Sequence, residues 1–282
     1  MKSLEGKVVV ITGAGSGIGR ALAVECAKRG ALLALADWNE DGLKETQALA
    51  GAKKSIVRKL DVRSEEGFNA FARDVEKELG GANVIVNNAG VSLSDTIGSM
   101  KRSDFEWLID INFWGVVRGT EAFLPQLMAK DDAHVVNISS VFGLISVPSQ
   151  SAYNASKFAV RGYTESLRQE LEEAGAPVHV TCVHPGGVKT NIVRNGRHVK
   201  NQHGQATDME TLSRSFDTMA KTTPAQAADI ILAGILSNSP RVLVGRDAQV
   251  IDLVQRIFPA GYPRVLGTAL RWIERRTNGR PS

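Results

Sequence analysis

The chain has 282 residues, of which 43% are hydrophobic, and it carries a formal net charge of +4. This length can bury the core of one large domain, and no linker, internal repeat or low-complexity tract divides the chain. No apolar run approaches the about 20 residues of a membrane span, and the short apolar run near the N-terminus is too brief for a signal peptide. Only Cys26 and Cys182 are present, so we expect buried thiols in a reducing, cytoplasmic compartment rather than a disulfide framework.

The positive charge is concentrated near the C-terminus. From Pro240 onward there are eight arginines against three acidic residues, Asp247, Asp252 and Glu274, and the rest of the chain has a net charge of −1. Such a segment could contact anionic lipid or a phosphate-bearing substrate, but it is more often the solvated face of helices. We predict no nucleic-acid partner.

Short apolar runs alternate with longer helical patterns along the chain. The runs typical of strands are 7–12, 32–36, 55–60, 83–86, 134–138, 178–183 and 241–244, and those typical of helices are 18–29, 39–50, 65–79, 105–128 and 153–173. This alternation predicts an α/β, doubly wound Rossmann fold in which helices cover both faces of a parallel sheet. The ligand crevice of such a fold lies at the carboxyl ends of the strands, so functional residues should follow each strand.

A glycine-rich turn joins the first strand to the first helix. Glycines let the backbone approach a pyrophosphate closely, and a helix N-terminus offers unpaired N–H groups. The predicted pyrophosphate contacts are Gly13, Ser16, Gly17, Ile18 and Gly19.

The second strand ends on Asp37, at the distance expected for a carboxylate that accepts hydrogen bonds from the adenosine ribose. A carboxylate would repel a 2′-phosphate, and neither Ser16 nor Trp38 supplies a compensating cation. We therefore predict NAD as the preferred cofactor over NADP. The alternative is that Asp37 caps the following helix.

Small and amide residues follow the third and fourth strands. They are Asp61 and Val62 after the third strand and Asn87, Asn88, Ala89 and Gly90 after the fourth. Such residues suit an adenine pocket, although each alone is common in turns.

Tyr153 and Lys157 stand four residues apart at the start of a helical pattern, which places them on one face of the helix. A neighbouring ammonium is expected to favour the phenolate and to lower the pKa of the tyrosine. Ser140 ends the preceding strand, where its hydroxyl could stabilise charge on a reacting oxygen. Taken singly, such a Tyr–Lys pair is most often a packing pair, and such a serine is ordinary turn chemistry.

Together these motifs resemble those of the short-chain dehydrogenase/reductase family, in the family's order and spacing from Lys7 to about Thr190. The matching elements are Thr12-x-x-x-Gly17-x-Gly19, Asn87-Asn88-Ala89-Gly90, Ser140, Tyr153-x-x-x-Lys157 and Pro185-Gly186.

The resemblance implies roles for these residues. Tyr153 would act as general acid/base, Lys157 would tune it and hold the nicotinamide ribose, and Ser140 would orient the substrate oxygen. Asn112 matches the family's helix asparagine, which holds a water in a proton relay to the lysine. The further cofactor contacts implied are Pro185, Gly186, Val188 and Thr190, the last two at the nicotinamide carboxamide.

The predicted function is therefore an oxidoreductase that interconverts a secondary alcohol and a ketone by hydride transfer. Apolar residues after Ser140, namely Phe142, Leu144, Ile145 and Val147, hint at a hydrophobic substrate. Two alternatives stay open: a nucleotide-sensing binding protein without turnover, and a lyase or epimerase with recycled NAD. The resemblance also suggests a homodimer or homotetramer packed through helices 105–128 and 153–173.

Residues 1–247 are predicted to form the dinucleotide-binding catalytic domain, with a substrate lid of short amphipathic helices at about 191–223. An ordinary surface excursion is the alternative for that segment. His198 and His203 lack further ligands at metal spacing, so no metal is predicted. Residues 248–282 are predicted to be a helical, Arg-rich extension. Docking on the protein's own body or across a subunit interface is favoured over contact with an anionic membrane.

Overall fold

The described part of the chain folds around a seven-stranded parallel sheet. The structure is a computed structural model and describes residues 1–198, 220–265 and 267. The strands of this sheet are β1 (Val8–Thr12), β2 (Leu32–Asp37), β3 (Ser55–Lys59), β4 (Val84–Asn87), β6 (Ala133–Ile138), β7 (Val178–Pro185) and β9 (Arg241–Val244). Their order across the sheet is β3-β2-β1-β4-β6-β7-β9. A separate parallel pair joins β5 (Leu93–Ser94) to β8 (Arg197–His198). The predicted doubly wound parallel sheet is confirmed.

Helices cover both faces of the sheet. They are α1 (Gly17–Lys28), α2 (Glu40–Ala50), α3 (Glu65–Leu79), α4 (Arg102–Ile109), α5 (Gly115–Met128), α6 (Ser151–Glu173), α7 (Pro224–Leu236) and α8 (Arg246–Ile257). Strands β1, β4 and β6 are buried along their whole length, as parallel strands covered on both sides must be.

The two faces of each strand pack into separate cores, because successive side chains point to opposite sides of the sheet. On β1, Val9 and Ile11 join the core beneath α1 and α7, where Leu22 and Ile231 are fully buried. Val8 and Val10 join the opposite core beneath α3, α5 and α6. The two cores hold the sheet in place and leave its carboxyl edge to form the site.

The structure differs from the sequence prediction in the helices. The pattern at 105–128 predicts one helix, whereas a helix begins at Arg102 and is interrupted by a π-helical turn at Asp110–Trp114 before α5. The hydrophobic periodicity of a sequence is read over several turns, so a single widened turn does not show in it. Helix α7 was not predicted, because its apolar residues leave no clear polar face. Two sequence signals mark the start of α7. Thr223 and Gln226 form a capping box, and Pro224 occupies the first helical position.

Asn39, rather than Asp37, caps α2, because the Asn39 side chain accepts a hydrogen bond from the Gly42 N–H at 3.1 Å. The alternative that Asp37 caps this helix is therefore wrong. Its carboxylate remains available at the end of β2.

Only the ends of the predicted lid fall within the described residues. Residues 191–196 form turns, and β8 follows them, whereas residues 199–219, with His203, lie outside the described part of the chain. The amphipathic helices predicted there stay a prediction.

Helix α8 begins at Arg246 and packs on the sheet edge through Ala248 and Asp252, which are buried. Asp252 pairs with Arg241 of β9 and with Arg256 on its own helix. Most of the predicted extension beyond this helix, residues 266 and 268–282, lies outside the described part of the chain. None of the helices in the described part is both long and apolar enough to cross a membrane.

We expect the free energy of unfolding to fall as the pH drops below about 6.5. Burial lowers the pKa of His134 to about 3 and the pKa of His184 to about 4. In the unfolded chain both imidazoles gain a proton near pH 6.5, so below that pH unfolding takes up protons. Each histidine then costs about 1.4 kcal/mol of stability per pH unit. Denaturant titrations across this pH range measure the slope.

The His134→Gln variant should lose about half of this slope, because one of the two buried imidazoles is gone. His184→Gln removes the other buried imidazole and should lose a similar share of the slope. Equal slopes for the wild type and His134→Gln would contradict this account.

Candidate active site

The glycine turn after β1 folds more tightly than side chains would allow. Gly13 has a φ of +65°, and a Cβ on it would lie 2.8 Å from the Cα of Ala89. A Cβ on Gly19 would overlap the carbonyl oxygen of Gly13. Ser16 begins α1 without a side-chain capping bond, so the N–H groups of the first turn face the crevice uncapped. This cradle suits the pyrophosphate of a dinucleotide.

The turn after β4 is hydrogen-bonded to the glycine turn. Thr12 Oγ1 accepts from the backbone N–H groups of Asn88 at 3.0 Å and Ala89 at 3.1 Å. The Asn88 side chain donates to the Thr12 carbonyl oxygen at 2.9 Å. The predicted contacts in these two turns therefore lie together at the carboxyl edge of the sheet.

Asp37 is held against the glycine turn. Its Oδ2 accepts from the Gly15 N–H at 2.8 Å, and its Oδ1 accepts from the Asn39 N–H at 2.9 Å. Arg20, a cation that the sequence analysis did not consider, also reaches this turn. It donates to the Gly15 carbonyl oxygen at 2.6 Å and pairs with Glu45 at 2.7 Å. This guanidinium is already engaged, so a 2′-phosphate would have to compete with Glu45 for it.

Asp61 and Val62 follow β3 beside Asp37. The Asp61 carboxylate is paired with Arg63, which keeps the pKa of Asp61 below its usual value. Val62 lies against Gly115 at the start of α5, where a Cβ would come within 3.0 Å of the valine side chain. Asp61 stays half-exposed at the mouth of the expected adenine pocket.

The turn after β7 brings Thr190 to the glycine turn, since a Cβ on Gly17 would lie 3.1 Å from Thr190 Cγ2. Val188 is buried and bridges to Thr222. Asp247, on the first turn of α8, accepts from the Gly187 N–H at 2.6 Å and packs against Gly186. Sequence reasoning missed Asp247 because it counted this residue only as one acid of the basic segment. Only the fold shows that it supports this loop.

Tyr153 and Ser140 meet at the end of β6. The Tyr153 side chain is buried and lies beside the Ser140 side chain. Ser140 Oγ in turn accepts from the Phe142 N–H at 3.1 Å, which fixes the hydroxyl at the start of the 3₁₀ turn Val141–Gly143. The two groups therefore present oxygens to one point in the crevice.

Lys157 lies one turn along α6, with its Nζ 5.7 Å from the centre of the Tyr153 ring. The ammonium donates to the Ile138 carbonyl oxygen at 2.9 Å. Burial lowers the pKa of Lys157 to about 8. Burial also raises the pKa of Tyr153 to about 12, and the neighbouring Ser140 side chain only partly opposes this rise. The predicted lowering of this pKa is therefore wrong for the protein alone, because desolvation is the largest effect on it.

Asn112 lies in the π-helical turn and is fully buried. Its amide braces the backbone of Val91, accepting from the N–H at 2.8 Å and donating to the carbonyl oxygen at 2.9 Å. Gly90 lies between Asn112 and Lys157, because a Cβ on it would be 3.2 Å from Asn112 Oδ1 and 3.6 Å from Lys157 Nζ. The predicted relay residues thus lie together behind Tyr153.

His184 is a further residue that sequence reasoning missed. It is buried on β7, and its Nδ1 lies 3.1 Å from the Ser140 carbonyl oxygen. Since the depressed pKa keeps this imidazole neutral, Nδ1 carries the proton and donates to that carbonyl. A histidine before Pro185 has no distinguishing sequence signal, because its contact to β6 depends on strand pairing.

Tyr153 belongs to a small apolar cluster. Leu93, Leu108 and Ala152 are fully buried in this cluster, and the half-buried Phe142 stacks edge-on to the Tyr153 ring with centroids 6.1 Å apart. Of the apolar residues predicted near the reacting oxygen, Phe142 joins this cluster. Leu144 and Ile145 are buried, and Val147 is half-buried. Among the described residues no group of three or more His, Cys, Asp or Glu side chains could hold a metal ion.

The arrangement defines a class of protein: a doubly wound dinucleotide-binding fold with a phenol, a hydroxyl and an ammonium gathered at the carboxyl edge of its sheet. A family model described as short chain dehydrogenase matches residues 7–201. SadH of Mycobacterium tuberculosis, named as an oxidoreductase, is 46% identical over 273 residues, which cover 96% of this chain and 97% of that protein.

Two further comparisons agree with this match. Estradiol 17-beta-dehydrogenase 11 of Rattus norvegicus is 30% identical, with 94% of this chain and 84% of that protein covered. The crystal structure of a short-chain dehydrogenase/reductase from Burkholderia phymatum in complex with NAD superimposes with a TM-score of 0.82. It is 30% identical, with 92% of this chain and 95% of that chain covered.

The chain belongs to the short-chain dehydrogenase/reductase family. It is an oxidoreductase that acts on CH–OH groups, and its fold carries a nicotinamide cofactor site. Membership in this enzyme family overturns the alternative of a non-catalytic binding protein.

We expect Gly143→Ala to lower both stability and turnover. A Cβ at this position would lie 2.6 Å from the Lys157 carbonyl oxygen and would also strike the Ser139 hydroxyl. The 3₁₀ turn must then move away from α6, which separates Ser140 from Tyr153. We expect a loss of about 1–3 kcal/mol in the free energy of unfolding and a fall in kcat of about tenfold or more.

Gly162 is the control, because it lies on α6, the helix that Gly143 contacts, and has open space around its Cα. Gly162→Ala should raise stability by about 0.5–1 kcal/mol and leave kcat unchanged. If Gly143→Ala behaves like Gly162→Ala in thermal melts and in turnover, the tight contact is not required.

Proposed function

We propose that the protein is an NAD-dependent dehydrogenase/reductase that interconverts a hydrophobic secondary alcohol and its ketone, with Tyr153 as the proton-transfer residue. The observation that carries this proposal is the buried Tyr153 phenol, which lies beside Ser140 and one helical turn from Lys157. The three groups lie at the sheet edge that also bears the glycine cradle.

The nicotinamide, when bound, accepts or returns the hydride at the carbinol carbon. Ser140 and Tyr153 would both hydrogen-bond the reacting oxygen, and this orients it and stabilises the charge that develops there. Tyr153 takes the hydroxyl proton in the oxidative direction and returns it in the reductive direction. Because the pKa of Tyr153 is raised, the resting phenol is protonated at neutral pH, as donation to a ketone oxygen requires.

Lys157 has two roles in this proposal. Its ammonium holds the nicotinamide ribose, and it stabilises the tyrosine anion when that anion forms. Gly90 lies beside Lys157 and next to the buried Asn112. This placement fits a route by which the proton reaches solvent. The remaining cofactor contacts are proposed for Gly13, Ser16, Gly17, Ile18, Gly19, Asp61, Val62, Asn88, Ala89, Pro185, Gly186, Val188 and Thr190.

The preference for NAD rests on Asp37. Its carboxylate is fixed by the Gly15 N–H at the end of β2, where an adenosine ribose would lie. The nearest cation of the glycine turn, Arg20, is already paired with Glu45. A 2′-phosphate at this position would be repelled by the Asp37 carboxylate, and Arg20 would have to leave Glu45 in order to neutralise it.

The hydrophobic substrate is supported by the half-buried apolar side chains Val91, Phe142 and Ile192, which belong to the cluster around Tyr153. We further propose a cytoplasmic protein, since both cysteines are buried and unpaired. A homodimer or homotetramer through α5 and α6 is supported by the large apolar side chains Trp114 and Phe158, which are exposed there.

Tyr153→Phe should abolish most turnover while leaving NAD binding nearly intact. The variant keeps the ring and its contact with Phe142 but removes the hydroxyl that transfers the proton, an effect of about 10²–10⁴-fold. Absorbance at 340 nm with a panel of hydrophobic secondary alcohols measures turnover, and calorimetry measures NAD binding.

Tyr163→Phe is the control, because it also removes a half-buried phenol of α6 that lies away from Ser140. That variant should retain turnover. Near-full activity in Tyr153→Phe would overturn the assignment.

Asp37→Ser should raise the ratio of kcat/KM with NADP to kcat/KM with NAD by about tenfold or more, because the anion that opposes the 2′-phosphate is gone. Asp41→Asn removes an exposed carboxylate on α2 and is the control that should not change this ratio. A wild-type enzyme that works only with NADP would contradict the preference.

A further inference from the structure

Helix α8 is amphipathic in the opposite sense to an ordinary surface helix. Its buried positions are Ala248 and the charged Asp252, Ile251 and Val254 are half-buried, and three of its large apolar side chains point away from the protein. The outward residues are Val250, Leu253 and Ile257, followed by Phe258 and Val265 beyond the end of the helix, and they are 39–58% exposed. Below they are called the outer apolar face.

The side of α8 opposite the outer apolar face contacts the rest of the protein. Asp252 is held by Arg241 of β9 and by Arg256, and Asp247 accepts from the Gly187 N–H. The described core thus docks α8 through polar contacts together with Ala248, Ile251 and Val254. None of the described residues buries the outer apolar face.

Charge indicates the kind of partner. The segment from Pro240 onward has eight arginines and three acids, whereas the rest of the chain is almost neutral. Arg246 and Arg256 are exposed on α8, where Asp247 and Asp252 balance their charge, so the excess of arginine lies in the rest of the segment from Pro240 onward. A two-fold interface at this segment would bring together two copies with the same net positive charge, and like charges repel. An anionic lipid surface offers an apolar layer for the outer apolar face and negatively charged headgroups for the arginines.

We propose that α8 lies on the surface of an anionic membrane with its outer apolar face in the headgroup region. A 12-residue helix is about 18 Å long, which suits a helix lying in the interface rather than crossing it. Tyr262, just beyond α8, accepts a hydrogen bond from the Ser146 N–H at 2.9 Å. The chain just after α8 therefore lies alongside the loop that follows Ser140.

Co-sedimentation of the full chain with vesicles tests the proposal. We expect binding to phosphatidylcholine vesicles that contain about one third phosphatidylglycerol, and several-fold weaker binding to vesicles of phosphatidylcholine alone. Raising the salt concentration about tenfold should weaken the binding to anionic vesicles, because it screens the arginines.

The double variant Leu253→Gln/Ile257→Gln should lower the vesicle partition coefficient by about tenfold or more, because it removes two apolar side chains from the interface. Leu49→Gln is the matched control: Leu49 and Leu253 are both 58% exposed, and Leu49 lies on α2. This control should bind like the wild type. Thermal melts and NAD binding should be unchanged in both variants, so the vesicle result does not depend on the proposed reaction.

Three results would overturn the proposal. The first is a wild-type chain that does not sediment with anionic vesicles. The second is equal binding by the double variant and the wild type, which would place the contact outside α8. The third is a fall in oligomeric mass in the double variant without a change in vesicle binding, which would assign the outer apolar face to a second copy.

Discussion

Close backbone approach at the carboxyl edge of the sheet is the constraint on which the rest of this structure depends. Gly19 lies directly against the carbonyl of Gly13, and Gly143 lies against the carbonyl of Lys157. The first contact shapes the cradle before α1, and the second brings the turn after β6 onto α6. Neither contact leaves room for a Cβ, so two separate parts of the site depend on missing side chains.

Burial then decides the charge state of the reacting groups. Tyr153 and Lys157 are both buried, and the loss of water disfavours their charged forms, raising one pKa and lowering the other. Burial therefore keeps the Tyr153 phenol protonated at rest, and it makes the Lys157 ammonium lose its proton more readily. Ser140 opposes this effect at Tyr153, and the neutral His184 holds the Ser140 backbone from behind. The chemistry of the site is thus set by the packing around it.

Helix α8 connects the site to the outside of the molecule. At its first turn Asp247 supports the loop after β7, and beyond its last turn Tyr262 reaches the loop after Ser140. Its inner side buries the charged Asp252 beside Ala248, while Val250, Leu253 and Ile257 are exposed on its outer side. Helix α8 therefore belongs to the architecture of the site.

The sequence by itself determined the order of strands and helices, the parallel sheet and the positions of the glycine turn, Ser140, Tyr153 and Lys157, because these depend on local periodicity and on spacing along the chain. It did not reveal the π-helical turn around Asn112, the roles of Arg20, His184 and Asp247, or the direction of the Tyr153 pKa shift. Each of these depends on which strands pair and on how deeply a group is buried. Such contacts join residues far apart in the chain, and only the tertiary structure decides them.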